Sequence, residues 1–187
     1  YDGMIDKYEG DAIMAVFGTP VQLENHATTA CYVSLEMQEE LAKLREQWHN
    51  EGRPELKARI GLNTGPMIAG NMGAQNRLDY TVMGDAVNLG ARLEGANKAY
   101  GTYFMISEST YQMAKNDIEV RFLDSLRVKG KQLPVKVYEV LAKKENRLSE
   151  NRRKAIETFN QGMECYLKQD WDKGIYYFES ALSVDSE

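Results

Sequence analysis

The sequence predicts an α+β fold, a sheet made partly of sequential hairpins and covered by helices. Three observations predict it. Short apolar runs bounded by glycine turns recur along the chain and read as strands. Between them lie longer segments whose apolar residues repeat every three or four positions, the period of an amphipathic helix. The two kinds of segment alternate through residue 141, and beyond that point only the helical kind remains.

Taken in order, residues 3–8 and 11–17 read as two strands around a tight turn at Glu9-Gly10, where glycine permits positive φ. Residues 24–50 carry Ala27, Ala30, Cys31, Ser34, Met37, Leu41, Leu44 and Trp48 at helical spacing, and Glu51-Gly52-Arg53-Pro54 ends that helix. Residues 56–64 alternate as Leu56, Ala58, Ile60 and Leu62, a strand with one apolar face. Thr64-Gly65-Pro66 is a turn, and residues 67–71 read as a returning strand. The glycines between Gly61 and Gly73 carry no Gly-Lys-Ser/Thr phosphate loop, so turns and close packing account for them. A strand at 78–83, a helix at 85–100, a strand at 103–106, a helix at 107–115 and strands at 119–128 and 134–141 follow.

Composition shifts near residue 143. Residues 143–148 are polar and read as a linker, and residues 149–168 and 172–184 as a helical pair. The spacing of Phe159, Gly162, Tyr166, Trp171, Gly174, Phe178 and Ala181 resembles one tetratricopeptide repeat, with Gly174 in place of the usual alanine; a generic helical hairpin is the alternative. A single repeat cannot bury its apolar face alone, so this pair is expected to meet further repeats or a protein partner.

The bulk numbers bound the function classes. The chain has 187 residues, 43% of them hydrophobic and 27% charged, as in an ordinary globular protein. Its net charge of −5 argues against nonspecific nucleic-acid binding, which draws on basic patches. It contains no apolar run long enough to span a membrane, and it begins at Tyr1 rather than Met, which reads as a fragment whose upstream region could hold a sensor or anchor. Cys31 and Cys165 lack metal-ligand spacing and read as two buried, reduced thiols rather than a disulfide, in keeping with a cytoplasmic location. His26 and His49 show no partner pattern.

The most informative run is Tyr80-Thr81-Val82-Met83-Gly84-Asp85-Ala86-Val87-Asn88-Leu89-Gly90-Ala91-Arg92. Asn88 and Arg92 share a helix face, one able to orient hydroxyls and the other matched to phosphate oxygens. Alone, the pair reads more readily as a solvated polar face. Two further blocks accompany it: Asp2-Gly3-Met4-Ile5-Asp6-Lys7-Tyr8-Glu9-Gly10-Asp11-Ala12-Ile13-Met14-Ala15-Val16-Phe17-Gly18 and Arg127-Val128-Lys129-Gly130-Lys131-Gln132-Leu133-Pro134-Val135. In that order, the three blocks resemble the central hairpin, signature helix and phosphate-contacting segment of the class III nucleotidyl cyclases. The resemblance spans residues 1–142 and implies a ferredoxin-like βαββαβ core with extra strands.

The resemblance also implies a chemistry. In that family the ribose 3′-hydroxyl of a nucleoside triphosphate attacks the α-phosphorus and pyrophosphate leaves, a displacement that needs alignment and charge neutralisation. Two divalent metals, Mg²⁺ or Mn²⁺, serve each site. Asp11 matches one metal-binding aspartate; the other belongs to an earlier strand, before residue 1, and Asp2, Asp6, Asp79 and Asp85 do not occupy its motif. The chain as it stands is therefore expected to be inactive. Lys7 matches the base-reading lysine and Thr81 its partner. Lysine offers donors alone, whereas a guanine edge presents an N–H that needs an acceptor, so the pair favours ATP and cyclic AMP as product. Asn88 resembles the ribose-positioning residue, Arg92 the residue that stabilises the pentavalent phosphate, and Lys129 a triphosphate contact. Lys131 fits either a second basic contact or a solvated turn. The family divides each site between two subunits, which implies a head-to-tail homodimer.

Two other readings have sequence-level discriminants. A catalytically silent regulatory module would have no need to retain Lys7, Asp11, Thr81, Asn88, Arg92 and Lys129. A diguanylate cyclase would carry a Gly-Gly-Asp/Glu-Glu-Phe hairpin, which Tyr8-Glu9-Gly10-Asp11-Ala12 is not.

Overall fold

A computed structural model describes residues 1–74, 77–127 and 134–185, with the side chain of residue 77 left aside. The chain divides into two compact units, Tyr1–Lys143 and Lys144–Glu187.

The first unit is α+β. A hairpin opens it, β1 (Met4–Glu9) and β2 (Ala12–Val16), antiparallel and closed by Gly10-Asp11 with Gly10 at φ 64°. Helix α1 (His26–Asn50) follows. Strand β3 (Ile60–Leu62) is shorter than the expected 56–64, because only these three residues find a partner strand; Leu56 lies 56% exposed. The partner is β6 (Phe104–Ser107), and the pairing is parallel. Strand β4 (Ile68–Ala74) does not return along β3; it pairs antiparallel with β5 (Arg77–Met83) as a second hairpin. Helices α2 (Asp85–Tyr100) and α3 (Glu108–Ala114) flank β6, and β7 (Ile118–Leu126) and β8 (Val135–Lys143) complete the unit.

Among the described residues the strands form three ladders, β1-β2, β3-β6-β8-β7 and β4-β5, not one continuous sheet. The four-stranded sheet is the core. All four residues of β6 are buried, which explains why Phe104-Met105-Ile106 shows no alternation in sequence. On one side, Phe104, Ile106 and Tyr138 pack with Cys31 and Leu35 of α1 and Ala114 of α3. On the other, Met105, Leu123 and Val137 pack with Leu89 and Leu93 of α2. The Tyr111 and Tyr138 rings stack at 4.4 Å.

Two local features set the height of α2 on the sheet. Gly61 in β3 lies directly under the helix backbone: a Cβ there would come within 2.2 Å of the Glu94 nitrogen and 2.4 Å of the Gly90 oxygen. Asn97, fully buried, donates from Nδ2 to the carbonyls of Ile60 (3.0 Å) and Leu93 (2.9 Å), and its Oδ1 accepts from Thr102 Oγ1 at 2.8 Å. A buried amide satisfied this way fixes position, since breaking any bond strands a polar group away from water.

The second unit is a helical pair, α4 (Glu150–Leu167) and α5 (Trp171–Val184). Ser149 caps α4 by accepting from the Arg152 backbone N–H. The helices meet where Gly162 lies against the Phe178 ring, so close that a Cβ would sit 2.6 Å from it. The Phe159 and Phe178 rings are 5.3 Å apart. This is a helical hairpin; a tetratricopeptide repeat in particular is not demonstrated by it.

Candidate functional site

The site residues expected from sequence come from three places. Lys7 is on β1, Thr81 on β5, and Asn88 and Arg92 on α2. Asp11 lies exposed in the β1–β2 turn. Lys129 and Lys131 lie outside the described residues.

Helix α2 is entered through Gly84, whose φ of 146° is a conformation that L side chains rarely adopt. Asp85 starts the helix, an acidic residue where the helix dipole favours one. Asn63 Nδ2 donates to the Ala86 carbonyl at 2.8 Å and ties the first turn to the loop after β3. Ala86, Leu89, Leu93 and Asn97 face inward. That orientation turns Asn88 and Arg92 outward, and both are exposed. The helix face expected to hold a sugar and a phosphate is thus presented to solvent on a rigidly seated helix.

Lys7 and Thr81 converge on a third residue. Thr81 Oγ1 donates to Asp6 Oδ2 at 2.8 Å, and Lys7 Nζ lies 3.6 Å from the same oxygen. The Asp6 side chain is 1% exposed and that of Lys7 41%, so the carboxylate is enclosed while the ammonium reaches outward. Neighbours on a strand normally point to opposite faces. Here the β1–β2 register shifts between Ile5 and Lys7, an irregularity at Asp6. Such bulges re-aim side chains. A second link, Thr19 Oγ1 to Tyr80 Oη at 2.7 Å, joins the segment after β2 to β5.

Asp6 is the residue that sequence reasoning missed. In sequence it reads only as a carboxylate outside the metal-binding motif. The signal present was an aspartate inside a strand, where that residue is disfavoured. No spacing rule could supply its partner, because Thr81 lies 75 positions away.

The fit to metals is limited. Asp11 offers one carboxylate, and among the described residues no group of three or more His, Cys, Asp or Glu side chains is arranged to hold a cation. These residues do not build a two-metal centre by themselves. Among the described residues, no helix is long and apolar enough to cross a membrane.

The arrangement is therefore a donor and a hydroxyl held by a common carboxylate, beside a helix that presents an amide and a guanidinium. Comparison with known proteins agrees with it. The family described as "Adenylate and Guanylate cyclase catalytic domain" matches residues 6–159. Adenylate cyclase 1 of Rhizobium meliloti is 37% identical over 141 residues, 75% of this chain and 21% of that protein. This chain thus spans about a fifth of that relative's length. The adenylyl cyclase CyaB from P. aeruginosa superposes with a TM-score of 0.69 at 35% identity, covering 78% of this chain and 75% of the other. The guanylyl cyclase Cya2 gives a TM-score of 0.69 at 33% identity, covering 77% and 72%. The chain belongs to the adenylate and guanylate cyclase catalytic domain family.

Proposed function

From that family membership, we propose that the chain is the catalytic domain of an adenylate cyclase, converting ATP to 3′,5′-cyclic AMP and pyrophosphate. Relatives of both base specificities superpose equally well, so the choice of adenine rests on the residues themselves. The observation that carries it is the convergence of Lys7 and Thr81, from two separate hairpins, on Asp6. A lysine donor facing a ring nitrogen and a hydroxyl facing an exocyclic amine complement adenine. A guanine edge presents an N–H where the lysine stands and an oxo group where the amine would be.

In this reading Lys7 and Thr81 hold the base, Asn88 orients the ribose, and Arg92 meets charge that develops on the phosphorus in the displacement. Lys129 contacts the triphosphate. Asp11 is kept as one ligand of Mg²⁺ or Mn²⁺, two ions per site, with the further carboxylate coming from outside residues 1–187. The base and phosphate contacts of one subunit face the Asp11 of another, so the active species is a homodimer with composite sites. The helical pair is proposed as a docking element for a protein partner: Trp171, Ile175, Tyr176 and Leu182 of α5 are each more than half exposed. The cyclase reading is preferred to a silent scaffold because it uses every one of these polar positions.

The test is turnover by the full-length protein. ATP is expected to be cyclised in preference to GTP, and Lys7→Glu combined with Thr81→Cys is expected to lower the ATP:GTP ratio of kcat/KM. A folded, dimeric protein that makes no cyclic nucleotide sinks the enzymatic reading. A ratio unmoved by the double substitution rejects the base assignment.

A further inference from the structure

A threonine hydroxyl is chemically ambiguous. It can donate its proton or accept one, so by itself it can meet the amine of adenine or the oxo group of guanine. In this chain the ambiguity is removed. Thr81 Oγ1 donates to Asp6 Oδ2 at 2.8 Å, and the Asp6 side chain is 1% exposed. A carboxylate is an acceptor-only group, and a hydrogen bond to a charged acceptor is stronger than one between neutral groups. The Thr81 proton is therefore committed, and what the hydroxyl can still present is a lone pair.

We propose that Asp6 is a specificity-determining positioning residue: it accepts the Thr81 hydrogen bond, leaves that hydroxyl an acceptor only, and so selects a purine with a 6-amino group over one with a 6-oxo group. The same oxygen lies 3.6 Å from Lys7 Nζ, so one enclosed carboxylate orients both halves of the base-reading pair. The irregular register at Asp6 is the backbone feature that lets consecutive residues 6 and 7 serve one pocket. Asp6 itself need not touch the base, since it acts through Thr81 and Lys7. The inference rests on the reading of Lys7 and Thr81 as the base-reading pair.

The experiment measures kcat/KM for ATP and for GTP in the full-length protein carrying Asp6→Ala, Asp6→Leu, Asp6→Asn, Thr81→Val, and Asp6→Ala with Thr81→Val. Thermal unfolding checks that each is folded. Losing one committed hydrogen bond is expected to lower the ATP:GTP ratio about tenfold in Asp6→Ala and Asp6→Leu, the size of effect that one such bond supports. Asp6→Asn keeps an acceptor oxygen of the same shape and is expected to restore most of the ratio. A residue that only stabilised the hairpin would lower both substrates alike and leave the ratio unmoved.

Because Asp6 acts through Thr81 as well as Lys7, the loss in the double variant is expected to be smaller than the sum of the losses in Asp6→Ala and Thr81→Val. If Thr81→Val shifts the ratio but the Asp6 variants do not, the Asp6 proposal falls and the base assignment stands. If Thr81→Val leaves the ratio unchanged, the base assignment falls and takes the proposal with it. If Asp6→Ala and Asp6→Leu both fail to fold, Asp6 is a stability determinant and the proposal falls.

Discussion

The four-stranded sheet and the two hairpins of the first unit are built on opposite terms. Every residue of the two hydrophobic clusters, among the described residues, comes from β3, β6, β7, β8 and the three helices. None comes from β1, β2, β4 or β5. The hairpins bury Val16 and Val82 but leave Ile5, Tyr8, Ile13, Ile68, Leu78 and Met83 more than half exposed. Two hydrogen bonds link them, Thr81 to Asp6 and Thr19 to Tyr80. The sheet holds the core and the hairpins carry the proposed base-reading residues, with α2 belonging to both. Its inner face is core, and its outer face carries Asn88 and Arg92.

That contrast can be broken or sharpened by experiment. The largest effect is expected in the core. Leu93→Ala or Met105→Ala removes a fully buried side chain and should cost about 2–5 kcal/mol of unfolding free energy, read by denaturant titration. A cost below 1 kcal/mol would mean that the four-stranded sheet is not the stabilising half. Next comes Arg92→Ala on the exposed face. Turnover by the full-length protein should fall about 10²–10³-fold, as when one charge-stabilising donor is lost, while the melting temperature stays within the scatter of the parent. Unchanged turnover would remove Arg92 from the phosphate role.

Gly61→Ala tests the seam between the regions. Its Cβ would meet backbone rather than a movable side chain. A destabilisation of about 1–3 kcal/mol is expected, with loss of activity as α2 is displaced. A neutral result would show that the helix has room to shift.

The smallest effect at neutral pH concerns Cys31, whose thiol burial pushes up to about 12 from an ordinary 9.0. The native state therefore keeps a proton that the unfolded chain loses. This stability is fully present below about pH 9 and declines as pH rises toward 12, by about 1 kcal/mol at pH 10. Cys31→Ala should flatten that slope. Cys165, expected from sequence to be buried like Cys31, is part-exposed, so in the folded chain a thiol reagent at pH 8 should label it and spare Cys31. Rapid double labelling would show that the core opens readily.

Much of this architecture is legible in the sequence. Helix α2 spans Asp85–Tyr100, as its periodicity indicates, and α1 runs to Asn50, where the Gly52 and Pro54 signals stop it. The pairing of strands was less legible. Residues 56–59 alternate like a strand yet stay outside the sheet, and β4 joins β5 rather than β3. Alternation reports which face a strand would bury, not which neighbour it will find. The candidate site divides the same way: Lys7, Thr81, Asn88 and Arg92 announce themselves by motif, while Asp6 and Asn97 do not.

By itself, the sequence determined the order of elements, the helix boundaries, the cyclase family and the polar positions to examine. These follow from period, turn residues and local motif, which are properties of neighbouring residues. The tertiary structure alone decided that the strands of the described residues form three ladders, that Gly61 admits α2 to the sheet, that Asn97 is a buried tie, and that Asp6 stands between Lys7 and Thr81. Each of these depends on groups far apart in the chain meeting at hydrogen-bond or van der Waals distance, and no local pattern encodes such a meeting.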